Sequence, residues 1–312
     1  MSLHIATPLL ESRALSLAAG RSVWLKLDAL QPTGSFKIRG VGAACEAYVQ
    51  RGATRFISSS GGNAGIAVAY AGRLLQVPVT VVVPETASAR AKALIEQEQA
   101  QLIVHGASWQ EANALALAMV GPGDAFVHPF DDPLLWLGHS SLIDEVAQAG
   151  VKPDAVVLAV GGGGLLSGVV QGLRRNGWAD VPVVAVETEG AASFNAAARA
   201  GRRVELETIT SIATSLGAKQ VCEQAFALLQ EHPISSVVVS DQAAVSACLR
   251  FLDDHRLLVE PACGAALALA YEHAAELAEF KTLLMVVCGG VTASLDQLQQ
   301  WSKAPSSSSP FR

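Results

Sequence analysis

The chain has 312 residues, of which 51% are hydrophobic and 16% are charged. Disordered segments combine low hydrophobicity with high charge, so this composition predicts a folded chain with a large buried core. At ~150 residues per domain, the length allows one large domain or two ordinary ones. The net charge is −6 and the sequence has no long basic run, which argues against nucleic-acid binding.

Membrane insertion and export are also disfavoured. The longest uncharged stretch, Ala155–Leu173, approaches the ~20 residues of a spanning helix, but it contains four consecutive glycines, which are poor helix formers. The N-terminal sequence has no basic leader followed by an apolar run, which predicts no signal peptide. The five cysteines are scattered and form no CxxC pair, which argues against a disulfide scaffold or a zinc cluster and favours the reducing cytoplasm.

Apolar β-rich runs alternate with alanine-rich helical segments along the chain. The predicted strands are Val23–Leu27, Phe56–Ser58, Val79–Val83, Leu102–Val104, Val156–Val160, Val183–Glu187, Val237–Ser240 and Leu283–Cys288. The clearest predicted helices between them are Ser35–Gln50, Asn63–Leu75, Ala87–Gln97 and Leu165–Arg174. Strands that are apolar on both faces and alternate with helices indicate parallel α/β sheets. The pattern leaves open one large sheet, a barrel or two open sheets.

The first unusual loop has the sequence PTGSFKIRG and ends in a predicted helix. Ser35 is expected to cap this helix and Lys37 to lie in its first turn. The partial positive charge of a helix N-terminus disfavours an ammonium, so the pKa of Lys37 should be lowered and its free amine available as a nucleophile. The alternative is a solvated lysine on an amphipathic helix.

The second loop, SSSGGNAG, directly follows a strand and precedes a helix. Small residues let the backbone N–H groups turn inward, which suits a carboxylate or a phosphate, and Asn63 adds a neutral donor. The alternative is an ordinary strand-to-helix turn.

The third loop contains Gly161 to Gly164 between a strand and a helix, an arrangement that favours a phosphate held by main-chain N–H groups. No GKS or GKT follows, so it is not a Walker loop. The GxGxxG spacing also fails, because the third glycine would fall at Leu166 or Ser167. Glu187 nevertheless ends the next strand, about where a ribose-binding acid would lie, so NAD binding stays an alternative.

Together the three loops resemble those of the fold-type II pyridoxal-phosphate enzymes, and among these the chain is most similar to the serine/threonine dehydratases. The likeness extends from Thr7 to Gly290 and depends on PTGSFKIRG, SSSGGNAG and VGGGGLLSG in that order. It implies two open, mostly parallel α/β domains, as in tryptophan synthase β, with the active site in the cleft between them. The expected large cofactor-binding domain comprises residues 1–34 and 137–312, the small domain comprises 35–136, and residues 303–312 form a frayed tail.

The resemblance also implies the roles of individual residues. Lys37 becomes the Schiff-base lysine and the base that takes the substrate Cα proton. The substrate carboxylate is expected on Ser60, Gly61, Gly62 and Asn63. The cofactor contacts expected besides Lys37 are Phe36, Asn63 at the ring 3′-oxygen, Gly161, Gly162, Gly163, Gly164 and Leu165 at the phosphate, and Cys288 at the pyridine nitrogen. His128-Pro129-Phe130 follows a short strand and is a further candidate for lining the cleft.

The activity implied is β-elimination of L-serine or L-threonine to pyruvate or 2-oxobutanoate plus ammonia. A thiol such as Cys288 is too weak an acid to hold the pyridine nitrogen protonated, which favours prompt elimination over transamination or racemisation. Related racemases carry a serine two residues before the asparagine, where this chain has Gly61, so little racemisation is expected. Two rival functions remain: cysteine synthase-like β-replacement and, in another class, an NAD-dependent dehydrogenase.

A cation site is implied by the same resemblance. Its expected ligands are Glu187, Ala191, Ser193, Leu216 and Ala218. One carboxylate with neutral oxygens suits potassium better than a divalent ion; the alternative is that Glu187 caps the next helix. The resemblance further implies a homodimer. It also implies an enzyme without isoleucine feedback, because the chain ends soon after Gly290.

Overall fold

The computed structural model describes residues 2–303 and confirms the predicted α/β class. The strands form two separate sheets, so neither a barrel nor one continuous sheet is present in this part of the chain. The larger sheet has six strands in the order β1-β2-β10-β7-β8-β9, and the smaller has four in the order β5-β4-β3-β6. The predicted frayed tail lies, from residue 304 onward, outside the described residues.

All eight predicted strands are present, with ends that differ by up to three residues. The strands are β1 Leu9–Glu11, β2 Ser22–Lys26, β3 Arg55–Ser58, β4 Val79–Val83, β5 Gln101–Val104, β6 Asp124–Phe126, β7 Ala155–Ala159, β8 Val183–Thr188, β9 Ile234–Val239 and β10 Thr282–Val286. Sequence analysis missed β1, since three residues are too few to show a hydrophobic period, and it predicted β6 only as a short strand without bounds before His128. Every pairing is parallel except that of β1 with β2.

Twelve α-helices lie in the described residues. They are α1 Arg13–Ala19, α2 Lys37–Gln50, α3 Asn63–Leu75, α4 Ala89–Gln97, α5 Trp109–Ala118, α6 Pro133–Gln148, α7 Gly164–Arg175, α8 Ser193–Ala200, α9 Glu223–Glu231, α10 Asp241–His255, α11 Pro261–Tyr271 and α12 Leu295–Lys303. The four predicted helices are among them, with small shifts at their ends. One local prediction is wrong: Phe36, not Ser35, is the residue before α2, and it makes no side-chain cap.

The uncharged stretch Ala155–Leu173 is the strand β7, the glycine loop and most of α7. All five residues of β7 are buried because helices cover both faces of a parallel sheet. Among residues 2–303, no helix combines the length and hydrophobicity that crossing a membrane requires.

The carboxyl ends of the two sheets face each other, where open α/β sheets bind their ligands. The loop after β6 contacts the start of α2 through Lys37 Nζ and Pro129 O, 2.6 Å apart. Asn63, which follows β3, lies 2.8 Å from Glu260, which precedes α11 beside the larger sheet. The strands of the smaller sheet all fall between residues 55 and 126, while the domain boundaries at 34/35 and 136/137 stay a prediction.

Candidate active site

Lys37 is the first residue of α2, and its half-buried amine points to the opposite loop. The Nζ atom donates to Pro129 O at 2.6 Å and lies 5.2 Å from the centre of the Phe36 ring. Burial lowers the pKa of Lys37 to about 8, although Cys288 and Glu260 act in the opposite direction. A substantial fraction of this amine is therefore unprotonated near neutral pH, as a nucleophile or a proton acceptor requires.

The aromatic ring of Phe36 packs against the imidazole ring of His139, which lies on α6. The two ring centres lie 4.9 Å apart, and His139 is completely buried, with no hydrogen-bond partner for either ring nitrogen among residues 2–303. Gly40 leaves room for this imidazole, because a Cβ there would lie 2.5 Å from His139 Cε1. Phe36 is thus packed firmly next to the lysine.

The four-glycine loop ends β7 and begins α7. Gly163 has φ +96°, a left-handed conformation that favours glycine, and α7 starts at the next residue. A Cβ on Gly162 would lie 2.3 Å from the Phe130 ring, and one on Gly164 would lie 2.6 Å from Phe130 O. The close approach of Phe130 therefore requires glycine at both positions. The result is a narrow backbone turn at a helix N-terminus, which suits a phosphate.

Phe130 connects this turn to the lysine. Its neighbour Pro129 accepts the hydrogen bond from Lys37, while Trp136 Nε1 donates to Phe130 O at 2.9 Å. The backbone from 129 to 130 thereby fixes the distance between the amine and the glycine turn. The structure thus brings together the two groups that the cofactor would have to reach.

Asn63 begins α3 and is buried, with both ends of its carboxamide engaged. Nδ2 donates to Glu260 Oε1 at 2.8 Å and more weakly to Ser215 Oγ at 3.3 Å, while Oδ1 accepts from Val291 N at 3.1 Å. These contacts connect Asn63 with the turn at residues 290 and 291, and this turn pairs with the segment before Lys37, since Gly290 N donates to Gly34 O at 2.8 Å.

The predicted carboxylate loop, Ser60 to Gly62, leads directly into α3, so its backbone lies at a helix N-terminus. The Ser60 hydroxyl accepts from Gly62 N at 3.3 Å. Gly61 packs closely on the start of the α4 region, because a Cβ there would lie 2.9 Å from Ala87 Cβ. Position 61 therefore has no room for a larger side chain without local movement.

Cys288 lies two residues after the end of β10 and is buried. A hydrogen bond with the Cys263 thiol and burial raise the pKa of Cys288 well above its usual value. The thiol is therefore neutral at physiological pH. Its backbone carbonyl accepts from Phe36 N at 3.0 Å, which places it next to the lysine segment.

Three of the predicted cation ligands, Glu187, Ala191 and Ser193, lie just before or at the start of α8, whereas Leu216 and Ala218 belong to a later loop. Glu187 is completely buried and accepts from Phe194 N at 2.8 Å and Asn195 N at 2.7 Å. Glu187 thus caps α8, which is the alternative left open by the sequence. Burial nevertheless raises its pKa to about 7, and among residues 2–303 no cationic side chain pairs with it.

Two further observations concern oxygen atoms near Glu187. Ser193 Oγ is buried with no hydrogen-bond partner within the described chain. The loop that carries Leu216 and Ala218 begins beside the Glu187 loop, since Thr210 N donates to Gly190 O at 3.1 Å. A buried carboxylate with a neutral hydroxyl nearby fits a monovalent ion that prefers oxygen ligands.

Sequence analysis missed Glu260 and Ser215, which contact the Asn63 carboxamide, and Thr292, which donates to Glu260. Glu260 lies 197 residues from Asn63 in the chain, and no motif surrounds it. The one available signal was Pro261 after an acidic residue, which is typical of a helix start and says nothing about a site.

Comparison with known proteins agrees with this geometry. Residues 1–289 match the family described as pyridoxal-phosphate dependent enzymes. An L-serine dehydratase/L-threonine deaminase from Homo sapiens is 50% identical over 308 residues, covering 95% of this chain and 94% of the relative. An L-serine dehydratase from Dictyostelium discoideum is 45% identical, covering 95% of this chain and 91% of the relative.

Among solved structures, a fungal L-serine ammonia-lyase from Rhizomucor miehei superimposes with a TM-score of 0.93 at 38% identity. The match covers 97% of this chain and 99% of that chain. The resemblance inferred from the three loops is confirmed, and the dehydrogenase alternative has no support. The chain belongs to the pyridoxal-phosphate dependent enzymes, with the fold of their fold-type II members.

Proposed function

We propose that this protein is a pyridoxal-phosphate-dependent ammonia-lyase that converts L-serine and L-threonine to pyruvate and 2-oxobutanoate, with release of ammonia. The proposal rests on one observation. The amine of Lys37, whose pKa is lowered to about 8, donates to Pro129 O, and the next residue, Phe130, packs against the glycine turn at the N-terminus of α7. The names of the relatives from Homo sapiens and Rhizomucor miehei support the choice of substrates.

The residues present fit pyridoxal phosphate. Its phosphate would be held by the backbone N–H groups of Gly161, Gly162, Gly163, Gly164 and Leu165, because α7 starts at Gly164 and the first N–H groups of a helix have no acceptor within it. Phe36 would border its ring, and Asn63 and Cys288 would meet the ring's polar atoms. When bound, the cofactor supplies an electron sink for the charge that develops at the substrate Cα.

Lys37 performs two tasks in this scheme. Its unprotonated amine would bond to the cofactor, and when the amine is free, Nζ would take the proton from the substrate Cα. Pro129 O keeps Nζ on the cleft side of the helix. Loss of the β-hydroxyl then follows, and the remaining enamine hydrolyses to the 2-oxo acid and ammonia.

The backbone of Ser60, Gly61 and Gly62 would orient the substrate carboxylate at the N-terminus of α3. The neutral Cys288 thiol donates or accepts a hydrogen bond without imposing a positive charge on the pyridine nitrogen. Such a partner favours elimination over reactions that need a longer-lived carbanion.

The test uses purified protein reconstituted with pyridoxal phosphate. We expect a visible absorption band and release of 2-oxo acid from both amino acids; Lys37→Ala should lose both. Lys152→Ala, which removes an exposed lysine on another surface, should keep both. A colourless wild-type protein, or one that is coloured but releases no 2-oxo acid, would contradict the proposal.

Cysteine synthase-like β-replacement can be distinguished from elimination by whether the reaction needs an added nucleophile. An ammonia-lyase releases pyruvate from L-serine without added sulfide, whereas a replacement enzyme needs sulfide and forms L-cysteine. Racemisation is disfavoured because Gly61 offers no group to move a proton and Ala87 fills the space beside it. D-serine formed at a rate near that of elimination would contradict this part of the proposal.

We also propose that potassium binds near Glu187, Ala191, Ser193, Leu216 and Ala218, that the enzyme is a homodimer and that it works in the cytoplasm. The orphaned Ser193 hydroxyl supports the cation site. The five free, buried cysteines support a reducing compartment. Light scattering of the purified protein and fluorescence microscopy of a tagged chain test the last two points.

A further inference from the structure

We propose that Glu260 is a positioning residue of the active site, which holds the Asn63 carboxamide in one orientation across the junction of the two sheets. This inference rests on the proposed function. It concerns a residue to which neither the three sequence motifs nor the family resemblance gave any role.

The carboxyl group of Glu260 is buried and has a partner on each oxygen. Oε1 accepts from Asn63 Nδ2 at 2.8 Å, and Oε2 accepts from the Thr292 hydroxyl at 2.7 Å. Two donors on the two oxygens are the pattern expected of a carboxylate, which only accepts. Charge-assisted hydrogen bonds of this kind are shorter and stronger than neutral ones, so the amide has little freedom to turn.

The surrounding backbone is shaped to admit this carboxyl group. Gly290 has φ +114°, and a Cβ at that position would lie 2.0 Å from Glu260 Cδ. The turn after β10 therefore approaches Glu260 so closely that only glycine fits. The same turn supplies Val291 N, which donates to Asn63 Oδ1 at 3.1 Å.

These contacts settle which way the Asn63 amide faces. One Nδ2 hydrogen is committed to Glu260, and Oδ1 is committed to Val291. The second Nδ2 hydrogen has only the longer contact of 3.3 Å to Ser215 Oγ, so it is the one available to a ligand. Without Glu260, the amide could rotate and present its oxygen to the ligand instead of a donor.

The interaction also connects distant parts of the chain. Asn63 follows β3 of the smaller sheet, whereas Glu260 and Val291 belong to segments beside the larger sheet, 197 and 228 residues away. A single carboxyl group thus fixes a donor that follows a strand of the smaller sheet against the turn that follows β10 of the larger sheet. Glu260 touches neither the lysine nor the glycine turn by hydrogen bond, and it acts through Asn63.

The test compares Glu260→Ala, Glu260→Gln and Asn63→Ala in the full chain. For Glu260→Ala we expect apoprotein affinity for pyridoxal phosphate, measured by tryptophan fluorescence, to fall about 10- to 100-fold, the range of a lost hydrogen bond to a charged group. The visible absorption maximum of the bound cofactor should shift, and kcat should fall more than KM for L-serine rises. Glu260→Gln, which keeps an oxygen for Asn63 Nδ2, should lose less than Glu260→Ala.

A double-mutant cycle decides whether Glu260 acts through Asn63. The Glu260→Ala, Asn63→Ala protein should bind the cofactor no more weakly than Asn63→Ala alone, because the two residues form one unit. Additive losses, or Glu260→Ala with unchanged cofactor affinity and absorption maximum, would overturn the inference. If Glu260→Ala does not fold, the same cycle is run with Glu260→Gln, and additivity there has the same meaning.

Wild-type protein measured in parallel separates the two proposals. If the wild-type protein is coloured and releases pyruvate but the affinity losses of the two substitutions are additive, the role of Glu260 is overturned and the proposed function stands. A wild-type protein that takes up no pyridoxal phosphate would overturn both.

Discussion

Arg39 and Asp28 form an ion pair whose side chains are both completely buried. Nε of Arg39 donates to Oδ2 of Asp28 at 2.7 Å, and Nη2 donates to Oδ1 at 2.9 Å. Glu145 on α6 closes the cluster by accepting from Nη1 at 2.6 Å. Since Arg39 lies two residues after Lys37, this cluster holds the first turn of α2 against the larger sheet and against α6.

Removing this arginine should destabilise the fold strongly. Arg39→Met leaves Asp28 buried without its partner, and we expect the free energy of unfolding in urea to fall by about 3–5 kcal/mol. Arg174→Met removes an arginine whose pair with Glu231 is exposed, so its loss should stay below about 1 kcal/mol. Equal losses of unfolding free energy in the two variants would show that the buried cluster stabilises the fold no more than an exposed ion pair does.

The glycine turn should not tolerate a methyl group at position 162. Gly162→Ala places a Cβ 2.3 Å from the Phe130 ring, which must move and thereby disturb the connection to Pro129 and Lys37. We expect affinity for pyridoxal phosphate to fall at least about tenfold, which corresponds to ~1.4 kcal/mol. Gly121→Ala, where the nearest atom is 3.5 Å away, is the matched control and should bind normally.

His128 should make stability depend on pH on the acid side. Burial and the nearby Lys37 charge lower its pKa to about 4, while Nδ1 accepts from Asp131 N at 2.7 Å. Because the folded-state pKa lies below the unfolded value of 6.5, the unfolded chain binds the proton more readily between these values. This contribution to stability is therefore present above pH 6.5 and is lost as the pH falls towards 4.

His128→Asn isolates that contribution, since asparagine can still accept from the backbone but does not titrate. The difference in unfolding free energy between wild type and variant should shrink as the pH is lowered from 7 to 4. A difference that stays constant over this range would contradict the lowered pKa.

Potassium should stabilise the protein if it binds near Glu187. Potassium chloride should raise the midpoint of thermal unfolding above the value in choline chloride at equal ionic strength, because an ion that binds only the folded state stabilises it. Glu187→Ala should abolish the difference, whereas Glu189→Ala, at an exposed position two residues away, should keep it. Equal midpoints in the two salts would leave Glu187 with only its capping role on α8.

Replacing the thiol at position 288 should change the balance of products. Cys288→Asp places a carboxyl group at the position proposed to face the pyridine nitrogen, and a carboxylate there would favour a protonated ring and longer-lived carbanions. For each pyruvate released, we expect the variant to form more D-serine than the wild type. We also expect it to lose activity more often by transamination, a loss that fresh pyridoxal phosphate reverses. Cys288→Ser, which stays neutral, is the control. An unchanged product profile in Cys288→Asp would contradict the role of Cys288.

The sequence by itself determined the α/β class, most elements and the three loops at strand ends. These features depend on local patterns: apolar runs of strand length, alternation with helices, and glycines at fixed spacing. Asn63–Leu75 begins and ends where the pattern predicted, and Lys37 lies at the start of α2 as expected. The failures were local too, as for the cap assigned to Ser35 and the short strand β1.

Only the tertiary structure decided which distant groups meet. Nothing near Glu260 in the sequence indicates that its carboxyl group binds an amide 197 residues away, and nothing near Phe130 indicates that its ring requires Gly162. The pKa of Lys37 likewise depends on how deeply the opposite loop buries it. Such hydrogen bonds and the burial of side chains between the two sheets arise from packing in three dimensions, so local sequence patterns do not predict them.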